Sequence, residues 1–178
     1  ITVPNPLLKE KSEDVKEFDQ ILKNTIRNMY DTLYSSGNGI GLAAPQVGIM
    51  KRIVVIDIKE KDKSNPITFI NPKIVKKSKE TFVNEEGCLS IPDFFANVER
   101  YKEVEVQWLN ENGDLKSANY NGLMSICIQH EIDHLNGVLF IDHISKIKRK
   151  MAVERVLKQK KKKKTNKCRK SKILVLGF

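Results

Sequence analysis

The chain has 178 residues and a mass of 20.4 kDa, with 40% hydrophobic residues, 30% charged residues and a formal net charge of +10. A chain of this length can bury about 70% of its unfolded surface and fits a single domain. It lacks the run of about 20 apolar residues that a membrane-spanning helix requires. Three cysteines (Cys88, Cys127 and Cys168) are a poor basis for a disulfide framework, so we expect a reducing, cytoplasmic environment.

The positive charge is concentrated at the C-terminal end of the chain. Residues 146–178 hold 15 lysines and arginines against one acidic residue, whereas residues 1–145 hold 17 basic and 21 acidic residues. The sequence therefore predicts two parts: a mildly acidic body at 1–145, and a C-terminal helix with a lysine-rich tail at 146–178.

In the first half of the chain, the pattern predicts one helix followed by strands. Apolar residues recur at steps of three and four over residues 15–34, with Ser12 or Asp14 as the candidate N-cap. The glycine-punctuated stretch 37–48 is expected to be irregular. Three apolar segments are then expected to be strands or parts of strands: residues 52–58, 67–75 and 81–83.

The middle of the chain predicts a hairpin. Pro92 is expected to stop any strand that continues from the third apolar segment. Residues 104–109 and 115–120 flank the turn sequence ENGD, which is typical of two paired antiparallel strands.

The C-terminal third predicts a buried helix and a second helix behind it. Asn121 or Gly122 is expected to open the buried helix and Gly137 to close it, with residues 138–141 as a short strand. The last helix is expected to begin near Ser145. Together the elements predict an α+β domain with mostly antiparallel sheets around the central helix.

The central helix carries the segment QHEIDHLNG, which contains the pattern HExxH. On a helix, His130 and His134 share one face, with Cβ atoms roughly 5–6 Å apart, a spacing that suits two imidazoles on one metal ion. Glu131 beside them can move a proton of a water bound to that metal. The pattern alone is also compatible with two buried histidines that are satisfied by hydrogen bonds.

The residues alone leave the third ligand of such a site open. An open catalytic metal site usually has three protein ligands. The candidates downstream are Asp142, His143 and Glu154, and His143 reads more simply as a loop or surface residue. Upstream, Cys88 lies in the segment EEGCLS, and a thiolate is a good ligand for zinc or ferrous iron. A single cysteine is otherwise most often a small core residue.

Three motifs resemble those of one enzyme family in order and spacing. GIGLAAPQ at 39–46, EGCLS at 86–90 and QHEIDHLNG at 129–137 match the patterns GxGxAAxQ, EGCxS and HExxH. On these motifs, the sequence resembles the peptide deformylases over about residues 1–150. That family removes the formyl group from N-formylmethionine on newly made polypeptides. The resemblance implies a metal site with the ligands Cys88, His130 and His134.

The resemblance also implies the roles of further residues. Glu131 would be the general acid and base on a metal-bound water, while the Gln46 amide and the Leu89 backbone N–H would hold the oxyanion. Phe95 lies near a position where many relatives have a basic residue that helps to hold the substrate backbone. Six residues are expected to line or border the methionine pocket: Ile40, Gly41, Glu86, Leu123, Ile126 and Cys127. The implied ion is Fe2+, for which Zn2+, Ni2+ or Co2+ can substitute.

The implied partners are a formylated nascent peptide and, through the basic tail, the ribosome. Residues 146–172 are expected to contact RNA phosphates by charge, in competition with the simpler interpretation of the tail as a solvated, disordered extension. Two other functions are compatible with parts of the sequence. A zinc peptidase that cuts internal peptide bonds accounts for HExxH but leaves the other two motifs unexplained. A nucleic-acid-binding protein accounts for the tail alone.

Overall fold

The strands follow one another along the chain between two α-helices, an order that agrees with the predicted α+β class. A computed structural model describes residues 1–59 and 63–175, and its side chains as far as Lys162 and at Thr165. Its strands are β1 (Gly41–Ala43), β2 (Ile53–Asp57), β3 (Pro66–Lys77), β4 (Thr81–Cys88), β5 (Ile91–Tyr101), β6 (Glu103–Leu109) and β7 (Leu115–Asn121). Its α-helices are α1 (Gln20–Ser35), α2 (Gly122–Leu135) and α3 (Lys146–Val175). Short 3-10 helices are found at Pro6–Lys9, Ala44–Val47 and Phe140–Asp142.

The strands form two antiparallel sheets. One sheet has the strand order β1-β2-β3-β6-β7, and the other is the β4-β5 hairpin. The predicted hairpin at 104–109 and 115–120 is confirmed, because β6 and β7 pair from Glu103↔Asn121 to Leu109↔Leu115. The Asn110 side chain stabilises the turn by accepting from the N–H groups of Asn112 and Asp114 at 2.9 Å.

Helix α2 is the central helix that the sequence predicts. It begins at Gly122 after Asn121, and its residues from Ser125 to Leu135 are buried apart from Asp133. Ile128 and Leu135 lie in the same core cluster as residues of β2, β3 and β6. Each fully buried aliphatic side chain of this kind contributes about 1.5–3 kcal/mol by leaving water. The helix is therefore buried on nearly all sides.

Helix α1 begins later than predicted. Asp19 is its N-cap, and its Oδ1 atom accepts from the Leu22 N–H at 2.9 Å, so the predicted caps Ser12 and Asp14 are wrong. The Asn71 side chain accepts from the Val15 N–H at 2.8 Å and donates to the Val15 carbonyl at 2.9 Å. These two bonds satisfy the backbone at residue 15, so the helical pattern before residue 19 is not used.

Two further segments differ from the prediction because of short elements. The stretch 37–48 is not wholly irregular, since β1 pairs with β2 and a 3-10 helix follows it. The predicted strand at 138–141 is wrong, because a 3-10 helix begins at Phe140. There the Asp142 Oδ2 atom accepts from the Leu139 N–H at 2.8 Å, which closes the turn.

Pro92 does not stop a strand, because β5 contains it. The register of the β4–β5 hairpin shifts between Gly87, which pairs with Phe95, and Cys88, which pairs with Ile91. The residues between Ile91 and Phe95 therefore have no paired partner in β4. A proline within this bulge loses no ladder hydrogen bond.

The last helix begins at Lys146, as predicted from Ser145. Its first turns belong to the body of the fold, because Ala152 and Val156 are buried with Ile91, Val98 and Phe140. The backbone remains helical to Val175, whereas the side chain of Cys168 lies outside the described residues. None of the described helices combines the length and the hydropathy needed to cross a bilayer.

Candidate active site

The three predicted metal ligands lie together. The ligand atoms of Cys88, His130 and His134 all lie within 4.8 Å of one another, and the Cys88 Sγ atom is 3.2 Å from His134 Nε2. The two histidines are one helical turn apart on α2, and Cys88 is the last residue of β4, at the bulge. The β4–β5 hairpin thus carries a thiol to the face of α2 on which both imidazoles lie.

The downstream candidates for the third ligand have other partners. Asp142 forms ion pairs with Lys9 and Arg149, and His143 lies 2.8 Å from the carboxylate of Asp133. Glu154 is on α3, near Lys150. Among the described residues, Cys88 is therefore the residue that completes the cluster with the two histidines.

The electrostatics of the cluster suit a divalent cation. Burial alone would raise the pKa of the Cys88 thiol, but His134 and His130 more than offset it and hold that pKa well below its ordinary value. The buried atoms His134 Nδ1 and Glu131 Oε2 have no hydrogen-bond partner among the described residues. One thiolate and two imidazoles are a donor set that suits iron, zinc, nickel or cobalt. The residues present therefore fit the metal that the motifs imply.

The His130 imidazole is oriented by a buried carboxylate. Its Nδ1–H donates to the Glu86 Oε2 atom at 2.8 Å, which directs Nε2 toward the cluster. Arg100 binds the same carboxylate through two nitrogens, at 2.7 and 3.0 Å. Burial opposes ionisation of Glu86, but His130 and Arg100 outweigh it and lower its pKa to about 2. Glu86 is thus ionised at neutral pH and holds its neighbour by charge.

The Glu131 carboxylate lies beside the predicted ligands and is shielded from solvent. Its side chain is buried, and burial raises its pKa above the ordinary value, an effect that the two imidazoles oppose. Strand β1 passes very close to it. A Cβ atom at Gly41 would lie 2.6 Å from Glu131 Oε1, so the close approach requires a glycine. A carboxylate with a raised pKa and an unpartnered oxygen suits a group that takes up and releases a proton.

The Gln46 amide is held with its NH2 group toward the cluster. Gln46 Oε1 accepts from the Ala43 N–H at 2.8 Å, which fixes the orientation of the amide. Its Nε2 atom donates to Ser90 Oγ at 3.2 Å and reaches the Cys88 sulfur at 3.5 Å. Leu89 lies in the turn that directly follows Cys88, a predicted ligand. Both predicted oxyanion donors therefore border the cluster.

A cavity of about 420 Å³ opens beside the cluster and contains the expected pocket residues. Ile126 and Cys127 form a buried wall on α2, and burial raises the pKa of the Cys127 thiol well above its ordinary value, so that wall is uncharged. Four further residues expected at the pocket also line the cavity: Ile40, Gly41, Glu86 and Leu123. Phe95 lies at the rim, with 62% of its surface exposed.

The sequence reasoning missed three residues that support the site. Ser90 meets Gln46, and Arg100 binds both Glu86 and Asp133, the latter at 2.6 Å. Ser90 belongs to the motif EGCLS and Asp133 lies between the two histidines, so motif position could have indicated both. Nothing in the local pattern marks Arg100, because its role depends on the pairing of β5 with β4.

A cysteine and two histidines beside a buried carboxylate, next to an apolar cavity, define a site of the metallohydrolase class. The polypeptide deformylase family model matches residues 1–150, and the chain belongs to that family. It is 49% identical to the peptide deformylase of Brucella suis over 159 residues, which are 89% of this chain and 90% of the relative. It is 46% identical to the peptide deformylase of Rhizobium meliloti, over 89% of this chain and 91% of that relative.

Solved structures of the family share the fold. A peptide deformylase from Ehrlichia chaffeensis in complex with actinonin superposes with a TM-score of 0.86 at 40% identity, covering 89% of this chain and 95% of that one. A Plasmodium falciparum peptide deformylase superposes with a TM-score of 0.81 at 38% identity. The match covers 90% of this chain and 96% of that one. The chain is therefore an enzyme of the deformylase type with an α+β fold, as the motifs predict.

Proposed function

We propose that the chain removes the N-formyl group from the N-formylmethionine of nascent polypeptides and releases formate. The observation that carries the proposal is the cluster of Cys88, His130 and His134, with the unpartnered carboxylate of Glu131 beside it, at the end of an apolar cavity. The cysteine and the two histidines would hold the metal. A divalent ion bound there supplies a Lewis acid for the formyl oxygen and a lowered pKa for water.

The side chains divide the proton chemistry between them. Glu131 accepts a proton from the water that adds to the formyl carbon, and its raised pKa makes it a stronger base than an ordinary glutamate. Gln46 Nε2 and the Leu89 N–H donate to the oxygen on which negative charge develops. When the C–N bond breaks, Glu131 delivers the proton to the departing amine nitrogen. The water oxygen remains in formate.

The cavity supports the choice of substrate. Its wall at Leu123, Ile126 and Cys127 is apolar, and an unbranched methionine side chain can fill such an irregular space. Once filled, the cavity shields the buried carboxylate and the reacting water from bulk solvent. An extended peptide would then leave the cavity past β1 and β4, both of which contribute residues to its lining.

The metal in the cell is proposed to be Fe2+, with Zn2+, Ni2+ or Co2+ as competent substitutes. A thiolate with two imidazoles accepts all four ions, so availability rather than affinity selects among them. Metal analysis of protein purified without oxygen should find one ion per chain, predominantly iron. A cytoplasmic location stays a prediction from the scarce cysteines.

The test of the function is formate release from a formyl-Met peptide beside the same peptide without the formyl group. We expect release from the first and no cleavage of the second. Glu131→Ala should retain the metal and lose about 10²–10⁴-fold in turnover, the usual contribution of a general acid and base. Glu17→Ala, an exposed carboxylate that does not line the cavity, is the matched control. Cleavage of an internal peptide bond in the unformylated peptide would instead establish the peptidase alternative.

The ribosome is proposed as the partner that binds the basic tail. Residues 146–178 hold 15 basic residues, and Ile147 and Met151 are exposed large apolar side chains on the first turns of α3. Because the substrate emerges from a particle covered in RNA phosphate, such a segment would hold the enzyme near it through counterion release. The body would bind the formylated peptide independently of this contact.

A further inference from the structure

A continuous chain of charged groups connects a surface histidine with the imidazole of His130. His143 Nε2 lies 2.8 Å from Asp133 Oδ2, and Arg100 Nη1 lies 2.6 Å from the same oxygen. The other nitrogens of Arg100 bind Glu86, whose carboxylate accepts from His130 Nδ1 at 2.8 Å. We propose that His143 is a positioning residue for His130, acting through this chain. The inference rests on the proposed role of His130 as a metal ligand.

The degree of burial differs along this series of hydrogen-bonded groups, and it explains why the contacts nearest His130 are rigid. The Arg100 and Glu86 side chains are 5% and 3% exposed, whereas Asp133 is 22% and His143 37% exposed. Hydrogen bonds between ionised groups are strong in a dry environment, where water does not compete for them. The contacts between Arg100, Glu86 and His130 are therefore rigid, and only the outer end of the series, at Asp133 and His143, is accessible to solvent.

His143 completes the outer end of the chain. Arg100 and His143 contact the same oxygen of Asp133, so the carboxylate is held from two directions. Without the imidazole, the partly exposed carboxylate can rotate toward water, and the Arg100 guanidinium loses one of its two fixed partners. Arg100 fixes the position of the Glu86 carboxylate, which in turn binds His130. A change at residue 143 is thus transmitted to the direction of the His130 Nε2 lone pair.

Of the two histidines in the cluster, His130 is the one whose orientation depends on these contacts. The second ring nitrogen of His134 is buried and has no hydrogen-bond partner among the described residues. Of the two imidazoles, His130 is therefore the one that a carboxylate orients. Groups that orient a metal-binding imidazole typically contribute about 10–100-fold to metal affinity when they are the direct partner. A residue three contacts farther out is expected to contribute about tenfold or less.

The position of His143 in the fold explains how it reaches Asp133. It caps the 3-10 helix Phe140–Asp142, which follows α2 and packs Phe140 against the ring of His130 with centroids 5.9 Å apart. The same short helix contains Asp142, which binds Lys9 and Arg149. Asp142 does not belong to the series of contacts between His143 and His130. Lys9 therefore offers a control at the same turn that leaves the path to His130 intact.

The experiment measures Co2+ binding to metal-free protein by chelator competition, together with the visible absorption bands of the Co2+ protein. His143→Phe keeps a ring and removes the N–H donor, and we expect about three- to tenfold weaker binding and shifted bands. His143→Gln retains a donor and should remain within about twofold of the wild type. Lys9→Met, the matched control, should bind Co2+ as the wild type does.

A double-mutant cycle tests the path. If His143 acts through Asp133, then His143→Phe combined with Asp133→Asn should bind Co2+ no more weakly than Asp133→Asn alone. Unchanged affinity and bands in His143→Phe, with only a lower Tm, would overturn the proposal, as would an equal loss in Lys9→Met. Should His143→Phe fail to fold, the comparison of His143→Gln with His143→Asn, a shorter donor, decides: equal Co2+ affinity would overturn the proposal. Wild-type protein that binds Co2+ but releases no formate would contradict the proposed function and leave this comparison valid.

Discussion

Glu86 lies at the predicted pocket, but its carboxylate binds a residue of the candidate metal site. The family motif implies a place at the methionine pocket, and the residue does line the cavity. Its carboxylate, however, is engaged by Arg100 and His130. The two facts agree if the residue closes the pocket wall with its stem and orients a candidate ligand with its charge.

Replacing Glu86 should lower stability by an amount that depends on pH. Its folded pKa of about 2 lies below the ordinary 4.5, so the ionised form contributes about 3 kcal/mol above pH 4.5, and this is lost as the pH falls toward 2. We expect metal-free Glu86→Gln to be about 3 kcal/mol less stable than the wild type at pH 7 in urea unfolding. The difference should shrink between pH 4.5 and pH 2. A constant difference across that range would show that Glu86 is not held by charge.

At the scale of elements, the decisive contact is the approach of β1 to α2. Strand β1 pairs with β2 through Gly41↔Ile56, which fixes its position in the five-stranded sheet. Helix α2 lies against this strand, and the space at residue 41 is filled by Glu131 and Cys127. The glycine of the first motif is thus required by packing against the third motif.

Gly41→Ala should reduce activity with little effect on the metal. The new Cβ would lie 2.6 Å from Glu131 Oε1 and 2.7 Å from Cys127 Sγ, so the carboxylate must move. We expect about a 10²-fold or greater loss of kcat/KM in formate release, because general acid–base catalysis depends on position. Gly113→Ala is the control: it carries backbone strain at φ +85° and only ordinary contacts, so it should lower Tm and keep activity. Normal activity in Gly41→Ala would contradict the placement of Glu131.

At the scale of the whole molecule, α3 joins two parts with different physical character. Its turns at Ala152 and Val156 are buried against β5, and Gln159 donates to Asp93 at 2.9 Å. Residues 163–178 add six basic residues and no acidic one. The division at residues 145 and 146 stays a prediction. A removable basic segment begins after Lys162, because a cut after Lys150 would expose core at Ile91 and Phe140.

Truncation after Lys162 should separate catalysis from ribosome binding. The body keeps its core, so kinetics on short formyl-peptides should change less than about twofold. Co-sedimentation with ribosomes at low salt should weaken, since six phosphate contacts can account for about 10³-fold in affinity between 50 and 200 mM salt. A full-length variant with the six basic residues changed to glutamine separates charge from length. Equal co-sedimentation of all three proteins would make the tail a solvated extension.

The sequence by itself determined the fold class, the central helix and the two candidate ligands on that helix. His130 and His134 are four residues apart within an apolar stretch, and a buried helix presents both side chains to one point. The β6–β7 hairpin is equally local, since alternating residues flank a turn. Cys88 became predictable through the resemblance of its motif, and the cluster it forms agrees with that inference.

Only the tertiary structure decided where elements begin and which charges meet. Asn71 binds the backbone of Val15 from 56 residues away, and α1 consequently starts at Asp19. A bulge opposite β4 frees Pro92 from pairing. Likewise, Arg100 and His143 join Asp133 because sheet pairing and a 3-10 turn bring together residues distant in sequence. Local periodicity encodes which face of an element is apolar, whereas backbone partners and buried ion pairs depend on residues that only folding makes neighbours.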